Sequence, residues 1–301
     1  MKNVGSKKGG NWDGRFRGGY LGNLIFDCLI RYGGVNAAYV LLSFVVVYFI
    51  PAAPKATSSI WYYNRRIMHY GFFKSMMMLY FHYFSFGQVL IDKVAIAQGR
   101  NKEYRFDTKD RTEFIKSFQN FKDNGCVFIS AHIGSWESGV HFFGQEGKKI
   151  NVVMFNAASS QEQHISGDHK ILSLSEDPIE NILKIKSVLD AHEYVCFQGD
   201  RFIEGQRTLK VSFMGEEAEF PLGPFLFSTR LKVPVVFYFS MRLPKKGYRF
   251  YLRMAGPVSE SRHEPPQKQL LDQYIGILEK IVRQYPQQWF NFYPFWVGQR
   301  S

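Results

Sequence analysis

The chain has 301 residues, enough for one large domain or two ordinary ones with a substantial buried core. Its 38 Lys and Arg exceed its 26 Asp and Glu, so the net charge of +12 indicates an anionic partner: nucleic acid, a phospholipid surface or an acidic protein. Apolar residues make up 46% and aromatic residues 17%, which excludes a disordered chain and makes a membrane surface the leading partner.

The N-terminal region combines positive charge with apolar stretches. Residues 1–20 hold five basic residues and one acidic residue among paired glycines, which predicts a flexible basic arm. Residues 37–50 contain one polar residue and stop at Pro51, so they predict an apolar helix shorter than the ~20 residues of a secure membrane span. Residues 67–84 are apolar around nearly the whole circumference of a helix. We expect both stretches to enter or lie on a membrane; the alternative is two core helices of a soluble domain.

Beyond residue 100, short apolar runs alternate with amphipathic segments, which indicates an α/β domain. The predicted strands are 126–131, 151–155, 194–198, 233–239 and 249–254. A helix is predicted between the second and third strands, with Asp177 as its N-cap and Pro178 in its first turn. A closing helix is predicted over 267–285 because apolar residues recur there at helical spacing between prolines.

Cysteines and short motifs exclude several kinds of site. Cys28, Cys126 and Cys196 stand far apart with no CxxC pair, which excludes a disulfide framework and a cysteine-based zinc motif and favours a reducing, cytosolic environment. The chain also lacks a G-x-S-x-G elbow, an H-E-x-x-H helix and a G-x-x-x-x-G-K-S/T loop. No resident nucleophile follows from the sequence, so direct attack by an acceptor hydroxyl is the simplest chemistry.

The segment CVFISAHIGSWESG places His132 directly after an apolar strand and Glu137 in the first turn of a following helix. At such a turn a carboxylate can reach an imidazole N–H. His141 and Glu146 repeat the H-x4-E spacing, but residues five apart on a continuous helix point about 140° away from each other. The pattern therefore favours His132 as a general base oriented by Glu137; the alternative is a strand-end histidine bonded to a backbone group.

Four segments of the chain resemble the bacterial lipid A late acyltransferases, the lauroyl and myristoyl acyltransferases, in their order and spacing. They are AHIGSWE after the first strand, FQGDR at 197–201, FPLGPFLFSTRLKVPVV at 220–236 and QQWFNFYPFW at 287–296. The resemblance covers nearly the whole chain. It implies a glycerol-3-phosphate-acyltransferase-like α/β fold, with a central sheet flanked by helices. It also implies a basic arm and membrane-associated helix over 1–60 and an acyltransferase domain over 61–301.

The activity that the resemblance implies is membrane-associated O-acyl transfer at the cytoplasmic face of the inner membrane. The donor would be an acyl carrier protein thioester and the acceptor a hydroxyl of a lipid A precursor-like lipid. His132 would be the base and Glu137 its orienting carboxylate, with no metal or redox cofactor. The implied substrate-binding residues are Ser135, Trp136, Asp200 and Arg201. Arg201 would bind phosphate oxygens or the thioester oxyanion; the alternative is an ion pair with Asp200 or Glu204.

Two departures from the better-known enterobacterial members leave the acceptor open. The chain reads NAASSQEQH after the strand at 151–155, where those members carry a basic, asparagine-rich segment, and GDR where they carry Asp-x-Asp. An aminolipid or polyene pigment precursor as acceptor, or acyl-CoA as donor, is the alternative. A further alternative is a catalytically inactive lipid-binding scaffold. The intact His132–Glu137 pair argues against this alternative. Nucleic-acid binding is a remote alternative, because the basic stretch RLPKKGYRFYLR at 242–253 fits equally a hairpin facing anionic lipid or an acidic carrier protein.

Overall fold

The computed structural model of the chain describes residues 20–107, 125–137, 149–155, 169–175, 177–203 and 205–300. The helices in these ranges are α1 (Tyr20–Ala52), α2 (Pro54–Tyr62), α3 (Phe72–Ala97), α4 (Pro178–Asp190), α5 (Gly223–Leu231), α6 (Pro266–Gln284) and α7 (Val297–Arg300). The strands are β1 (Arg105–Asp107), β2 (Cys126–Ser130), β3 (Ile150–Phe155), β4 (His169–Leu174), β5 (Tyr194–Gln198), β6 (Thr208–Phe213), β7 (Glu216–Pro221), β8 (Val235–Leu243) and β9 (Gly247–Met254). The basic arm, His141, Glu146, Glu204 and NAASSQEQH lie outside the described residues.

The central sheet has seven strands in the order β1-β9-β8-β2-β5-β3-β4. Strands β8, β2, β5, β3 and β4 run parallel, whereas β9 is antiparallel to β8 and carries β1 on its outer side. This mostly parallel sheet with flanking helices and an apolar N-terminal helix confirms the α/β prediction. Because β2 lies between β5 and β8, the loops at the carboxyl ends of these strands meet at one edge of the sheet.

Both faces of the sheet are buried. On one face Val127 and Ile129 of β2 join a large cluster that includes Leu271 and Tyr274 of α6. On the other face Phe128 belongs to a smaller cluster with Tyr194, Cys196 and Tyr238. This explains why β2 reads as a continuous apolar run instead of an alternating one.

Most of the predicted elements are confirmed within two residues. β2, β3, β5 and α6 lie where the sequence predicted them, and Oδ1 of Asp177 caps α4 by accepting the Ile179 N–H at 2.8 Å. The two predicted strands after residue 230 are the arms of one hairpin, β8 and β9, which is longer than predicted. Its turn places Lys245 and Lys246 at positive φ, which suits the twist of a tight hairpin.

The structure corrects the bounds of both predicted apolar N-terminal helices. Residues 37–50 are part of the longer helix α1, which is interrupted by a non-helical residue at Gly34. The segment Leu21–Ala52 is long and apolar enough, by length and composition, to cross a membrane. Residues 67–84 are not one helix, because a π-helical turn ends at Ile67 and α3 begins at Phe72.

A buried polar cluster joins α1 and α3 to the sheet. The carboxylate of Asp92 on α3 accepts the hydroxyls of Tyr39, Tyr104 and Tyr248 and the Nε–H of Arg242, the last at 2.8 Å. Hydrogen-bonded partners on both carboxylate oxygens satisfy a charge that would otherwise be costly to bury. Helices α1 and α3 are thus fixed to the β8–β9 hairpin of the sheet.

Candidate active site

A tight turn after β2 holds His132 at the carboxyl edge of the sheet. The N–H of Gly134 donates to the carbonyl of Gln288 at 2.8 Å, and the N–H of Ser135 donates to the carbonyl of Ser240 at 2.7 Å. Gly134 has a φ of +58°, and a Cβ at this position would lie 2.1 Å from the Ser240 oxygen. Only glycine allows β8 to approach the turn this closely.

His132 and Asp200 form the central pair of this site. Nδ1 of His132 lies 2.8 Å from Oδ1 of Asp200, and the backbone N–H of His132 donates to Oδ2 at 2.9 Å. Asp200 comes two residues after β5, and β5 is the direct neighbour of β2 in the sheet. The two strands therefore deliver the imidazole and the carboxylate to the same point.

Burial distinguishes the two members of the pair. The side chain of Asp200 is 2% exposed, whereas that of His132 is 26% exposed. The carboxylate is shielded from water and the imidazole is still reachable from outside. With Nδ1 bonded to the carboxylate, Nε2 is the nitrogen left to accept a proton.

Burial and charge set the protonation states of the pair. Burial and the positive charge of Arg201 lower the pKa of His132, outweighing the opposite effect of Asp200. Burial alone would raise the pKa of Asp200, but His132 and Arg201 outweigh it and hold that pKa below its usual value. At neutral pH the pair is therefore a neutral imidazole beside an ionised carboxylate, the state that a general base requires.

The prediction that Glu137 orients His132 needs correction. The Glu137 carboxylate forms an ion pair with Nζ of Lys93 on α3 at 2.8 Å, and the carboxylate on the imidazole is that of Asp200. The backbone after the turn carries Glu137 toward α3, while the parallel pairing of β2 with β5 brings Asp200 to the imidazole. Asp200 was expected among the substrate-binding residues, and its position beside His132 was not predicted.

Arg201 follows Asp200 and reaches the C-terminal part of the chain. Its Nη2 donates to the carbonyl of Phe290, and its guanidinium carbon lies 5.7 Å from the centre of the Tyr293 ring. Its charge also contributes to lowering the pKa of both His132 and Asp200. Arg201 therefore supplies positive charge beside the pair, as an anion-binding role requires.

Ser135 and Trp136 lie on the same turn as His132 but contribute differently. Ser135 is buried and its N–H bonds to Ser240. The Trp136 ring packs against the smaller cluster on the sheet, and its carbonyl accepts the Tyr238 hydroxyl at 2.9 Å. Both residues thus shape the turn around His132.

Residues 288–293, here called the C-terminal strap, complete the site and were not predicted to do so. The Phe290 N–H donates to the His132 carbonyl at 2.8 Å, and the Tyr293 hydroxyl donates to the Asp200 carbonyl at 3.3 Å. His82 of α3 in turn contacts the strap, with Nε2 2.7 Å from the Trp289 carbonyl. The segment QQWFNFYPFW, with its run of aromatic residues and interspersed amides, was the signal in the sequence that could have indicated this strap. This segment entered the sequence-based interpretation only as part of the family resemblance.

Within the described ranges, no group of three or more His, Cys, Asp or Glu side chains is arranged to hold a metal ion. The site brings together an imidazole, a carboxylate and a guanidinium, all carried by loops at one edge of the sheet.

A protein-family comparison identifies the family of this chain. The model of the family described as bacterial lipid A biosynthesis acyltransferase matches residues 75–297, from the first turn of α3 to the start of α7. No curated protein matches the chain significantly. The matched region includes His132, Asp200, Arg201 and the whole C-terminal strap, and it confirms the resemblance noted in the sequence.

Proposed function

Because the chain belongs to the bacterial lipid A biosynthesis acyltransferase family and is an acyltransferase, we propose that it transfers a fatty acyl chain to a hydroxyl of a lipid acceptor, with His132 as general base. The hydrogen bond between His132 and the buried Asp200 is the observation that carries this proposal. Asp200 replaces Glu137 as the proposed orienting carboxylate. We also propose the glycerol-3-phosphate-acyltransferase-like arrangement for the domain.

The proposed reaction is a direct displacement. Nε2 of His132 takes the proton of the acceptor hydroxyl while the hydroxyl oxygen attacks the thioester carbonyl. Asp200 holds the proton on Nδ1 and stabilises the imidazolium that forms. The tetrahedral oxyanion then collapses, the C–S bond breaks, and the thiolate leaving group takes the proton from Nε2. The products are an ester and a free thiol, and His132 is neutral again.

Arg201 is the proposed group for negative charge. It would bind a phosphate of the acceptor or the thioester oxyanion, because a guanidinium offers several donors to such oxygens. Ser135 and Trp136 act in this proposal by fixing the turn that carries His132. Arg201 is already bonded to Phe290, so the strap holds its guanidinium in place before substrate arrives.

The experiment that tests this mechanism compares three purified variants in acyl transfer from an acyl carrier protein thioester to a lipid A precursor. We expect His132→Ala to lower kcat by about 10²–10⁴, the usual contribution of a positioned base. Asp200→Asn should cause a loss of the same order, whereas Glu137→Gln should stay within a few-fold of wild type. Circular dichroism checks that each variant is folded.

Two outcomes would overturn the mechanism. Near wild-type turnover by folded His132→Ala excludes His132 as the base. A large loss in Glu137→Gln together with a small loss in Asp200→Asn restores Glu137 as the orienting carboxylate.

The proposed donor is an acyl carrier protein thioester. The net charge of +12 supports this choice, because acyl carrier proteins are small and acidic and a basic face speeds their encounter. At the β8–β9 turn Lys245 is exposed, whereas Nζ of Lys246 is paired with Glu103 at 2.6 Å. Lys245→Glu should lower kcat/KM for the carrier-protein thioester at low salt. It should leave kcat/KM for acyl-CoA unchanged.

Salt provides the control for the donor. The preference for the carrier-protein thioester should shrink as the Debye length falls from about 10 Å at 0.1 M to about 3 Å at 1 M. Equal use of both donors at all salt concentrations would contradict the donor assignment and leave the acyltransferase activity intact.

The proposed acceptor is a lipid A precursor-like lipid, and the proposed location is the cytoplasmic face of the inner membrane. Apolar helix α1 supports a membrane location. Mass spectrometry of lipids and pigments from cells with and without the protein tests the acceptor. Loss of one acyl chain from lipid A supports the proposal, whereas a changed aminolipid or polyene pigment with unchanged lipid A would replace the acceptor.

A further inference from the structure

A set of large apolar side chains is exposed on α1 and α3. In the C-terminal half of α1 these are Val40, Phe44, Val47 and Tyr48, and in the N-terminal half of α3 they are Phe72, Phe73, Met76, Met77 and Phe81. The first half of α1 also exposes Leu21, Leu24, Ile25 and Tyr32, outside this set. We call this set the apolar face. Exposed apolar surface on this scale marks a contact with a membrane or another protein.

The two parts of the apolar face lie side by side because α1 and α3 pack antiparallel. The Tyr80 hydroxyl donates to the Ser43 carbonyl at 3.3 Å. Further along, a Cβ on Gly87 would lie 2.4 Å from Cδ1 of Leu42, so the helix backbones are in close contact there. The C-terminal half of α1 and the N-terminal half of α3 therefore share one surface.

Positive charge borders this surface. Residues 28–91 contain five Lys and Arg and no Asp or Glu. Lys55 at the start of α2, Arg65 in the π-helical turn and Lys74 in the first turn of α3 are all exposed. An apolar surface with adjacent cations is complementary to a bilayer of anionic phospholipids, which offers hydrocarbon below a layer of phosphates.

The contacts of α1 along its length indicate how it meets the bilayer. Near its start, Asp27 accepts a hydrogen bond from Gln98 at 2.6 Å, and in its middle Tyr39 is bonded to Asp92. With the Tyr80–Ser43 bond, these contacts attach α1 to the domain over more than half of its length. A membrane span requires about 20 consecutive apolar residues within the bilayer, whereas these bonds hold the part of α1 between Asp27 and Ser43 against the domain.

From these observations we propose that α1 and the first half of α3 lie in the plane of the membrane interface, with the apolar face in the acyl-chain region of one leaflet of anionic phospholipid. The attachment is monotopic, so both ends of α1 stay on the same side of the bilayer. This proposal deepens the membrane location within the proposed function. The opposite side of α3 carries His82, which contacts the C-terminal strap, so this helix would separate the lipid from the active site.

Labelling of single cysteines tests the topology. Asn23 in the first turn of α1 and Ser58 in α2, just beyond the other end of α1, are exposed, and Cys126 and Cys196 are buried. Asn23→Cys and Ser58→Cys are therefore made separately in a Cys28→Ser background. Each full-length protein is bound to preformed vesicles of phosphatidylglycerol and phosphatidylcholine and treated with a membrane-impermeant maleimide. We expect both cysteines to react fully without detergent. Protection of either one until detergent is added would show that α1 crosses the bilayer and would overturn the proposal.

Vesicle binding tests the apolar face itself. Phe72→Ser/Phe73→Ser should weaken binding to these vesicles at least tenfold, because two exposed aromatic side chains lose their hydrocarbon environment. The matched control is Ile179→Ser/Leu183→Ser on α4, where both side chains are also exposed but lie elsewhere. We expect the control to bind like wild type. Equal binding by the Phe72/Phe73 variant and wild type would overturn the proposal.

A variant without the three cations tests the contribution of charge, and the Phe72/Phe73 variant also tests for self-association. Lys55→Gln/Arg65→Gln/Lys74→Gln should lose roughly fivefold in affinity per cation for anionic vesicles and little for neutral ones. If Phe72→Ser/Phe73→Ser instead converts a dimer into a monomer and leaves vesicle binding unchanged, the face binds a second copy and the proposal is wrong. None of these measurements depends on acyl transfer, so they fail or succeed separately from the mechanism.

Discussion

The indole N–H of Trp289 donates to Oδ2 of Asp200 at 3.3 Å, the same oxygen that accepts the His132 backbone N–H. The other oxygen, Oδ1, accepts from the imidazole. Donors thus fix both oxygens of the carboxylate, and Trp289 is itself fixed through its carbonyl by His82. Trp289 is a positioning residue in the proposed mechanism, since it contacts Asp200 and acts on His132 only through it.

We predict that Trp289→Phe lowers kcat about tenfold and leaves KM nearly unchanged, because a hydrogen bond to the charged carboxylate is lost. Asp200 then holds the imidazolium proton more strongly, so the acid limb of the pH profile moves to higher pH. Trp296→Phe is the control, because its indole donates to the Phe213 carbonyl and not to Asp200. An unchanged acid limb in a folded Trp289→Phe protein would contradict the positioning role.

The pKa of His132 gives a prediction for the pH dependence of activity. In the proposed mechanism the neutral imidazole is the base, so kcat/KM should rise with pH and level off once His132 has lost its proton. Because burial and Arg201 lower its pKa, the midpoint of this rise should lie below the ordinary value of about 6.5. Arg201→Met removes one of the two causes and should move the midpoint upward. A midpoint above 6.5 in wild type, or no shift in the variant, would show that another group controls the profile.

His82 gives a separate prediction for stability. Burial lowers its pKa to about 4, although the bond to the Trp289 carbonyl acts in the opposite direction. The unfolded chain therefore takes up a proton between pH 6.5 and 4 that the folded chain does not. Stability should be constant above about pH 6.5 and fall by up to about 3 kcal/mol as the pH drops to 4.

The control for this effect is His82→Gln, which keeps a side-chain N–H donor but has no titrating group. Chemical unfolding in mild detergent between pH 4 and 7 compares the two proteins. The difference between their free energies of unfolding should depend on pH only below about 6.5. Parallel curves for the two proteins would rule out His82 as the source.

Gly134→Ala should disrupt the turn that carries His132. The new Cβ would meet the Ser240 carbonyl oxygen, and alanine at positive φ adds strain of about 1 kcal/mol or more. We expect a lower unfolding temperature and a loss of activity larger than the stability change explains. Gly276→Ala on α6, where a Cβ meets no atom within 4 Å, is the control and should be neutral or slightly stabilising. Full activity in Gly134→Ala would show that the turn tolerates displacement.

The sequence predicted elements best where local signals were strong. Strand β2 is a continuous apolar run ending at a histidine, and α4 has both an N-cap and a proline in its first turn. Strands β1 and β4 were missed because they lie at the two edges of the sheet, where pairing with one neighbour defines them, and β1 has only three residues. The β6–β7 hairpin was missed because its charged residues mask the alternation of β7.

For the site, the sequence placed His132 at a strand end but named the wrong partner. Glu137 is close to His132 along the chain, whereas Asp200 is close only because β5 lies beside β2 while β3 and β4 intervene in the sequence. Strand order is a property of tertiary packing and leaves no local mark. The C-terminal strap was missed for the same reason, since its bonds to His132 and Asp200 join distant parts of the chain.

The turn at His132 takes its partners from parts of the chain that are synthesised much later: Asp200, Ser240 and the strap at Phe290. A polypeptide emerges from the ribosome N-terminus first, so helices α1 and α3 are complete while these partners are still unmade. In the proposed membrane attachment, the apolar face can therefore meet a bilayer before His132 has its carboxylate partner. Under the proposed function, a chain still under synthesis would be bound at the lipid surface but unable to consume acyl thioester until residue 290 has folded back onto the sheet.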